Sequence, residues 1–459
     1  MLLTVVDRFS LVPGVWREWR PRHVTGALSR IGLAQSQRYH LSPLLGGAPS
    51  NPWKGWMALA FDVPGHVHHD ALAAAFEALV RRHEALRCAY EVAGGEIQRR
   101  VIPPAHVVFE PPSAGVPFDG AEDMHRFLRG RLDEACDPTR SPSGLFAAVD
   151  RPEASTIICA FDHTAVDAMS FAVAFAELWD HYHARVEGRE PAPLPPVGSF
   201  LEYCEFEAGM PAVPPEHPGF LAWREFAAMA GGVGPAFPLD LGVGPGALAP
   251  QGSAVCSLLS DAAAQSLERV CAAAGGSLFN GVVTALAAAV RELGGPKEFP
   301  LSTPLHTRWK PEWEQAVGWF VKNIPLILVA GDSFADGIAR NKALFRSMLP
   351  AAKVPLAQVV GGEAPLVSLA RRDVSAVSFL DYRKAPGAGL PAAARPRHIS
   401  NVTVADDLQL WFSRTADGLS VRLRYPDTDI ARRTAEGLVE TMRDVVQAAL
   451  RSSPLAPSR

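Results

Sequence analysis

The chain has 459 residues, of which 48% are hydrophobic and 20% charged, and its 44 basic and 48 acidic side chains leave a formal net charge of −4. That composition excludes a disordered polyelectrolyte and supplies no basic field to attract nucleic acid. The length exceeds one ordinary core, so two sizeable subdomains are expected.

The apolar opening, Met1 to Val6, stops at Asp7-Arg8. It is too short for a signal peptide core or a transmembrane span, and a cytoplasmic location is expected. Asp70 stands as the N-cap of a first helix bearing Leu72, Phe76, Leu79, Val80, His83 and Leu86 at three-and-four spacing, and this helix ends near 88–90. A strand over 97–102 and a helix over 121–135 follow. A strand over 155–161 then opens into Asp162-His163-Thr164-Ala165-Val166-Asp167-Ala168-Met169-Ser170. Loops beyond strand ends are where rigid scaffolds present reactive groups, which makes His163 the candidate catalytic residue. Asp167 can cap the next helix, whose stripe of Phe171, Phe175, Leu178, Trp179 and Tyr182 reads as core.

From 187 to 252 the chain is rich in proline and glycine, with aromatic segments around Tyr203 and Trp223, and reads as a long connector. The second half predicts a strand over 254–259, helices over 261–274 and 277–293, and strands over 320–329 and 374–382. A hairpin over 408–414 and 419–425 turns at Asp417-Gly418, and a helix over 429–450 closes the chain. Strands interleaved with helices indicate α/β architecture in both halves, divided as 1–190 and 191–459.

Several tempting signals have plainer readings. Cys88, Cys136, Cys159, Cys204, Cys256 and Cys271 lack paired spacing and read as reduced packing residues. His66, His68 and His69, and His181 with His183, fit polar turns, so no metal is expected. Gly275-Gly276-Ser277-Leu278 looks like a phosphopantetheine attachment site, but Ser277 fits a helix N-cap.

Six motifs in order carry a resemblance. Ala34-Gln35-Ser36-Gln37-Arg38, Arg82-His83-Glu84-Ala85-Leu86-Arg87, the run from Asp162 to Ser170, Phe200-Leu201-Glu202-Tyr203, Val317-Gly318-Trp319-Phe320-Val321-Lys322-Asn323 and Val354-Pro355-Leu356 span most of the chain. In these the sequence resembles the condensation-domain superfamily of chloramphenicol-acetyltransferase-like acyltransferases. The free-standing length and Val377-Ser378-Phe379-Leu380-Asp381-Tyr382-Arg383 are most similar to the polyketide-associated acyltransferases of actinobacterial lipids.

The resemblance implies a pseudo-dimer of two acetyltransferase-like subdomains with a substrate tunnel between them. It also implies that His163 is a general base and that Asp167 pairs with Arg308 to fix the loop. Trp319, Phe320 and Ser378 are candidate tunnel walls, with packing as the competing reading. Two positions depart from the family signature: Asp162 replaces its first histidine and Ala168 its glycine. The implied activity is transfer of an acyl or polyketide chain from coenzyme A or a phosphopantetheine thioester, as co-substrate, to a small-molecule alcohol. Amide formation between carrier-bound substrates, with an amine acceptor and a docked acyl or peptidyl carrier protein, is the alternative. A non-catalytic recruitment module is the third reading. No permanently bound cofactor is expected, and the chain is expected to be monomeric.

Overall fold

Two apolar runs, Trp56–Pro64 and Ala154–Asp162, are buried along nearly their whole length and pair antiparallel, with Trp56 opposite Asp162. Burial on both faces explains why they read as continuous apolar stretches rather than alternating ones. The computed structural model describes residues 1–47, 54–140, 143–244, 246–361, 365–368 and 372–452. Among these, the two runs are central in a seven-stranded sheet ordered Leu2–Val5, Arg397–Ser400, Trp56–Pro64, Ala154–Asp162, Leu145–Asp150, Val15–Glu18 and Val116–Pro117. Helices His69–Arg82 and Ala168–Val186 join its core through Leu72, Phe76, Phe171, Phe175 and Leu178.

A second seven-stranded sheet runs Val321–Val329, Glu298–His306, Ala376–Asp381, Gln409–Thr415, Gly418–Pro426, Ala249–Ser260 and Val404–Ala405. Helices Asp261–Ala273, Leu278–Glu292 and Asp429–Ser452 share its core through Leu267, Leu286 and Leu438. Among the described residues no single helix is long and apolar enough to cross a membrane. The first two of these helices pass that test only as a pair, bent by 95°, and they pack into this core.

Contacts group the chain into two compact units. The first is Met1–Gly209 with His306–Val321 and Lys384–Asn401; the second is Met210–Leu305 with Lys322–Arg383 and Val402–Arg459. Each unit combines helices with a sheet, giving the α/β class. The units are discontinuous in sequence, unlike the stretches 1–190 and 191–459. Strand pairing explains this: Arg397–Ser400 lies between Leu2–Val5 and Trp56–Pro64, so a late segment completes the first sheet.

Local differences from the sequence reading have local causes. His68, not Asp70, caps the first long helix, its imidazole accepting from Ala71 N at 3.3 Å, while Asp70 sits in the first turn. That helix stops at Arg82. Glu84–Arg87 is a 3-10 turn, and Cys88–Ala93 is a strand paired with Glu96–Val101. In the late hairpin Thr415 pairs with Gly418, so the turn residues are Ala416 and Asp417. Gly418 has φ 138°, and a Cβ there would meet Leu259 O at 2.2 Å. The connector contains helices Phe200–Ala208 and Pro218–Met229. Ser277 caps Leu278–Glu292. Of the clustered histidines, His66 faces Asp150 at 3.0 Å and His183 Nδ1 lies 2.9 Å from Trp179 O.

Candidate active site

His163 is the first residue beyond the strand Ala154–Asp162, and its N–H donates to Gly55 O at 3.0 Å, carrying the pairing one step past the strand end. Its side chain is half-buried, with Nδ1 2.8 Å from Val166 O. A carbonyl oxygen only accepts, so the neutral ring carries its hydrogen on Nδ1 and a lone pair on Nε2. The Trp319 indole stacks on the imidazole, with centroids 3.9 Å apart and planes 22° off parallel. Burial, and then the charge of His40, pushes His163 below its ordinary value of 6.5. The result is an imidazole held neutral, in one tautomer and one plane.

Asp167 caps the helix Ala168–Val186 by accepting from Ser170 N at 2.8 Å. Arg308 meets the same carboxylate with both terminal nitrogens, at 2.7 and 3.0 Å, and Phe320 N donates to it at 3.1 Å. Side chains of both residues are nearly inaccessible, at 3% and 4%. Burial pushes the Asp167 carboxyl up, but the Arg308 charge and these hydrogen bonds outweigh it, and the net shift is down. Ser170 Oγ lies 2.8 Å from Asp167 Oδ1 and accepts from Gly318 N at 3.1 Å. Gly318 fits because a Cβ there would come within 2.5 Å of Phe200. The pair thus ties the helix after His163 to the segment that bears Trp319.

Other motif residues brace the same loop. Gln37 Nε2 donates to Thr164 O and to Tyr90 Oη, both at 2.8 Å. Arg82 and His83 both meet Glu177, at 2.9 and 3.0 Å, and His83 Nδ1 accepts from Val317 N at 3.3 Å. Tyr203 Oη and Thr307 Oγ1 are 2.8 Å apart beside Arg308.

Asp162 is 2% exposed, with Oδ2 3.1 Å from His40 Nε2 and Oδ1 accepting from Thr164 N at 2.9 Å. Burial raises this carboxyl, and the charge and hydrogen bond of His40 together with the hydrogen bonds from Thr164 more than offset that. The His40 ring lies 6.2 Å from that of His163 and meets Trp319 edge-on at 5.7 Å. Gly55 leaves room for it, because a Cβ at 55 would fall 2.4 Å from His40 Cε1. The carboxylate at the signature's first position therefore holds an imidazole supplied from elsewhere. His40 is the site residue that sequence reasoning missed. It lies 122 positions from Asp162, and only the fold brings the two together.

Of the proposed tunnel walls, Trp319 lies against His163. Phe320 is a correction: it is fully buried with Phe200, Tyr203 and Trp313, so it packs the core and presents no surface to a substrate. Ser378 belongs to the strand Ala376–Asp381 of the second unit and is half-buried. Thiols near the site are poor nucleophiles, since burial pushes Cys136 and Cys159 upward.

A family model described as Condensation domain matches residues 53–455. The chain belongs to the condensation-domain family. Among its family relatives is Acyltransferase PapA3 of Mycobacterium tuberculosis, 28% identical over 97% of this chain and 96% of that one. Trehalose-2-sulfate acyltransferase PapA2 of Mycobacterium bovis is 26% identical over 85% of this chain and 83% of its own. The solved structure titled PapA2 acyl transferase matches with a TM-score of 0.87 at 23% identity, covering 98% of this chain and 99% of that one. The first condensation domain of the CDA synthetase matches with a TM-score of 0.66 at 16% identity, over 95% of this chain and 99% of that one.

Proposed function

We propose that this acyltransferase moves an acyl chain from a thioester to a hydroxyl of a small-molecule acceptor, forming an ester, with His163 as general base. The observation that carries the reading is the hydrogen bond from His163 Nδ1 to Val166 O, which leaves the lone pair on Nε2. An alcohol is a weak nucleophile at neutral pH. Nε2 accepts its proton as the oxygen attacks the thioester carbonyl, the carbon–sulfur bond breaks, and the proton passes to the departing thiolate. Ser170 Oγ is engaged with Asp167 and Gly318, and the neighbouring thiols are held protonated, so direct transfer without an acylated enzyme is the favoured route. Acyl-coenzyme A or a phosphopantetheine thioester on a carrier protein serves as donor. The relatives named for acylating trehalose-2-sulfate support a sugar-like hydroxyl over an amine.

The test is to supply palmitoyl-coenzyme A and, separately, a palmitoyl-phosphopantetheine carrier protein with trehalose, trehalose 2-sulfate, a long-chain alcohol and a long-chain amine, and to follow products by mass spectrometry. Ester formed only with both donor and acceptor supports the reading. Amide from the amine alone points to condensation, and no product from a folded protein points to recruitment.

A base must be neutral to act, and the pKa of His163 is lowered, so activity persists further into acid than for an unperturbed imidazole. The acid limb of kcat/KM against pH is expected to have its midpoint below 6.5. His40→Gln removes a positive neighbour that lowers His163, so that midpoint is expected to move upward. NMR titration of His163 checks the same shift directly, and an unchanged midpoint would remove His40 from the electrostatics of the site.

A further inference from the structure

The second sheet has an apolar face and a polar one. Val377, Leu410, Phe412, Val421 and Leu423 belong to the core shared with the helices. Their alternate neighbours therefore lie on the opposite face. Register sets Ser378 opposite Trp411 and Trp411 opposite Arg422, in one row across three strands of that face. Arg422 is 6% exposed. Its Cζ lies 3.9 Å from the centre of the Trp411 ring, and its Nε is buried with no hydrogen-bond partner.

Among the described residues, no carboxylate pairs with this guanidinium. Burial, and then the charge of Arg424, pushes it down to about 9. Arg424, two residues on and on the same face, is satisfied differently. It pairs with Asp373 at 2.6 Å and donates to Gln251 and Gln409 at 2.9 and 3.0 Å. A buried cation without an anion destabilises a fold, and the usual remedies are a carboxylate partner or exposure. Arg422 has neither.

We propose that Arg422, laid flat on Trp411, is the binding point for an oxyanion carried by a substrate. A guanidinium offers parallel N–H donors that match sulfate, phosphate or carboxylate, and stacking on an indole fixes the plane of the fork. Ser378 brings a hydroxyl to the same row. Two carriers share the chemistry: a sulfated sugar acceptor, or the phosphate-bearing arm of the thioester donor. Only the choice of carrier rests on the acyl-transfer reading, because oxyanion binding is measured without turnover.

The experiment follows tryptophan fluorescence and thermal unfolding while sulfate replaces chloride at constant ionic strength. Trp411→Phe identifies which part of the signal comes from that ring among the ten tryptophans. Wild type is expected to respond saturably, and Arg422→Gln to bind at least about tenfold more weakly, as loss of a charge-assisted hydrogen bond implies. Arg422→Lys keeps the charge and should retain a weakened response, which guards against a folding defect in the glutamine variant. Trehalose 2-sulfate is compared with trehalose, and coenzyme A with pantetheine. The pair whose anionic member binds more tightly than free sulfate names the carrier. No response in wild type, an equal response in Arg422→Gln, or failure of both anionic carriers to surpass free sulfate would each overturn the proposal.

Discussion

His163→Ala is expected to lower kcat/KM for acyl transfer about 10²- to 10⁴-fold, the range a positioned general base contributes. The loss should fall on kcat, because the imidazole acts on a proton in flight and the substitution removes no residue of the Asp167 network. Nothing in the fold depends on this ring alone. Its neighbours are the Trp319 stack, the His40 ring with its centroid 6.2 Å away and one bond to Val166 O, so circular dichroism and the melting temperature should stay near wild type. His163→Gln is the sharper variant, since an amide can still donate to Val166 O but cannot take the proton at pH 7. Steady-state kinetics with a saturating acceptor checks both. Turnover within a factor of two of wild type would mean that another group is the base.

Arg308→Met is expected to destabilise the protein by about 3 to 5 kcal/mol, the cost of leaving one member of a buried pair behind. The carboxylate of Asp167 would then lack both of its guanidinium bonds, keeping the donors from Ser170 N, Ser170 Oγ and Phe320 N. The pH dependence has a definite sign. Asp167 is depressed in the folded state, so the pair stabilises fully above the unfolded carboxylate value and loses its contribution as pH falls through the folded one. The deficit of Arg308→Met should therefore be largest near neutrality and shrink on acidification. Adding Asp167→Asn to Arg308→Met should recover part of it, because a neutral side chain needs less compensation. Denaturant midpoints between pH 3 and 8 test this, and an equal deficit at every pH would assign Arg308 a packing role instead. The activity loss should exceed what the unfolded fraction explains, since the pair joins the helix after His163 to the segment bearing Trp319.

Much of this site was legible because its signals are local. The strand-to-loop junction at His163, the cap at Asp167 and the apolar stripe from Phe171 to Tyr182 all lie within one continuous stretch. Arg308 was reachable only through the family resemblance, because nothing about an isolated arginine names a partner 141 positions away. His40 was missed for the same reason without that help: its link to Asp162 exists only once Trp56–Pro64 and Ala154–Asp162 pair and Gly55 clears the space. Phe320 misled because an apolar aromatic in this motif reads equally as a wall or as core, and burial decides between them. The strand Arg397–Ser400 shows the same limit at the level of the fold, since four residues late in the chain carry no mark of the sheet they complete.

The most direct measurement is intact-protein mass spectrometry with palmitoyl-coenzyme A, run on wild type and His163→Ala, first with donor alone and then with a hydroxyl acceptor. The expected result is unmodified protein with donor alone, ester when acceptor is added to wild type, and at least a hundredfold less ester with the variant. A covalently acylated enzyme that passes its chain to the acceptor, or undiminished ester from His163→Ala, would contradict direct transfer by a histidine base.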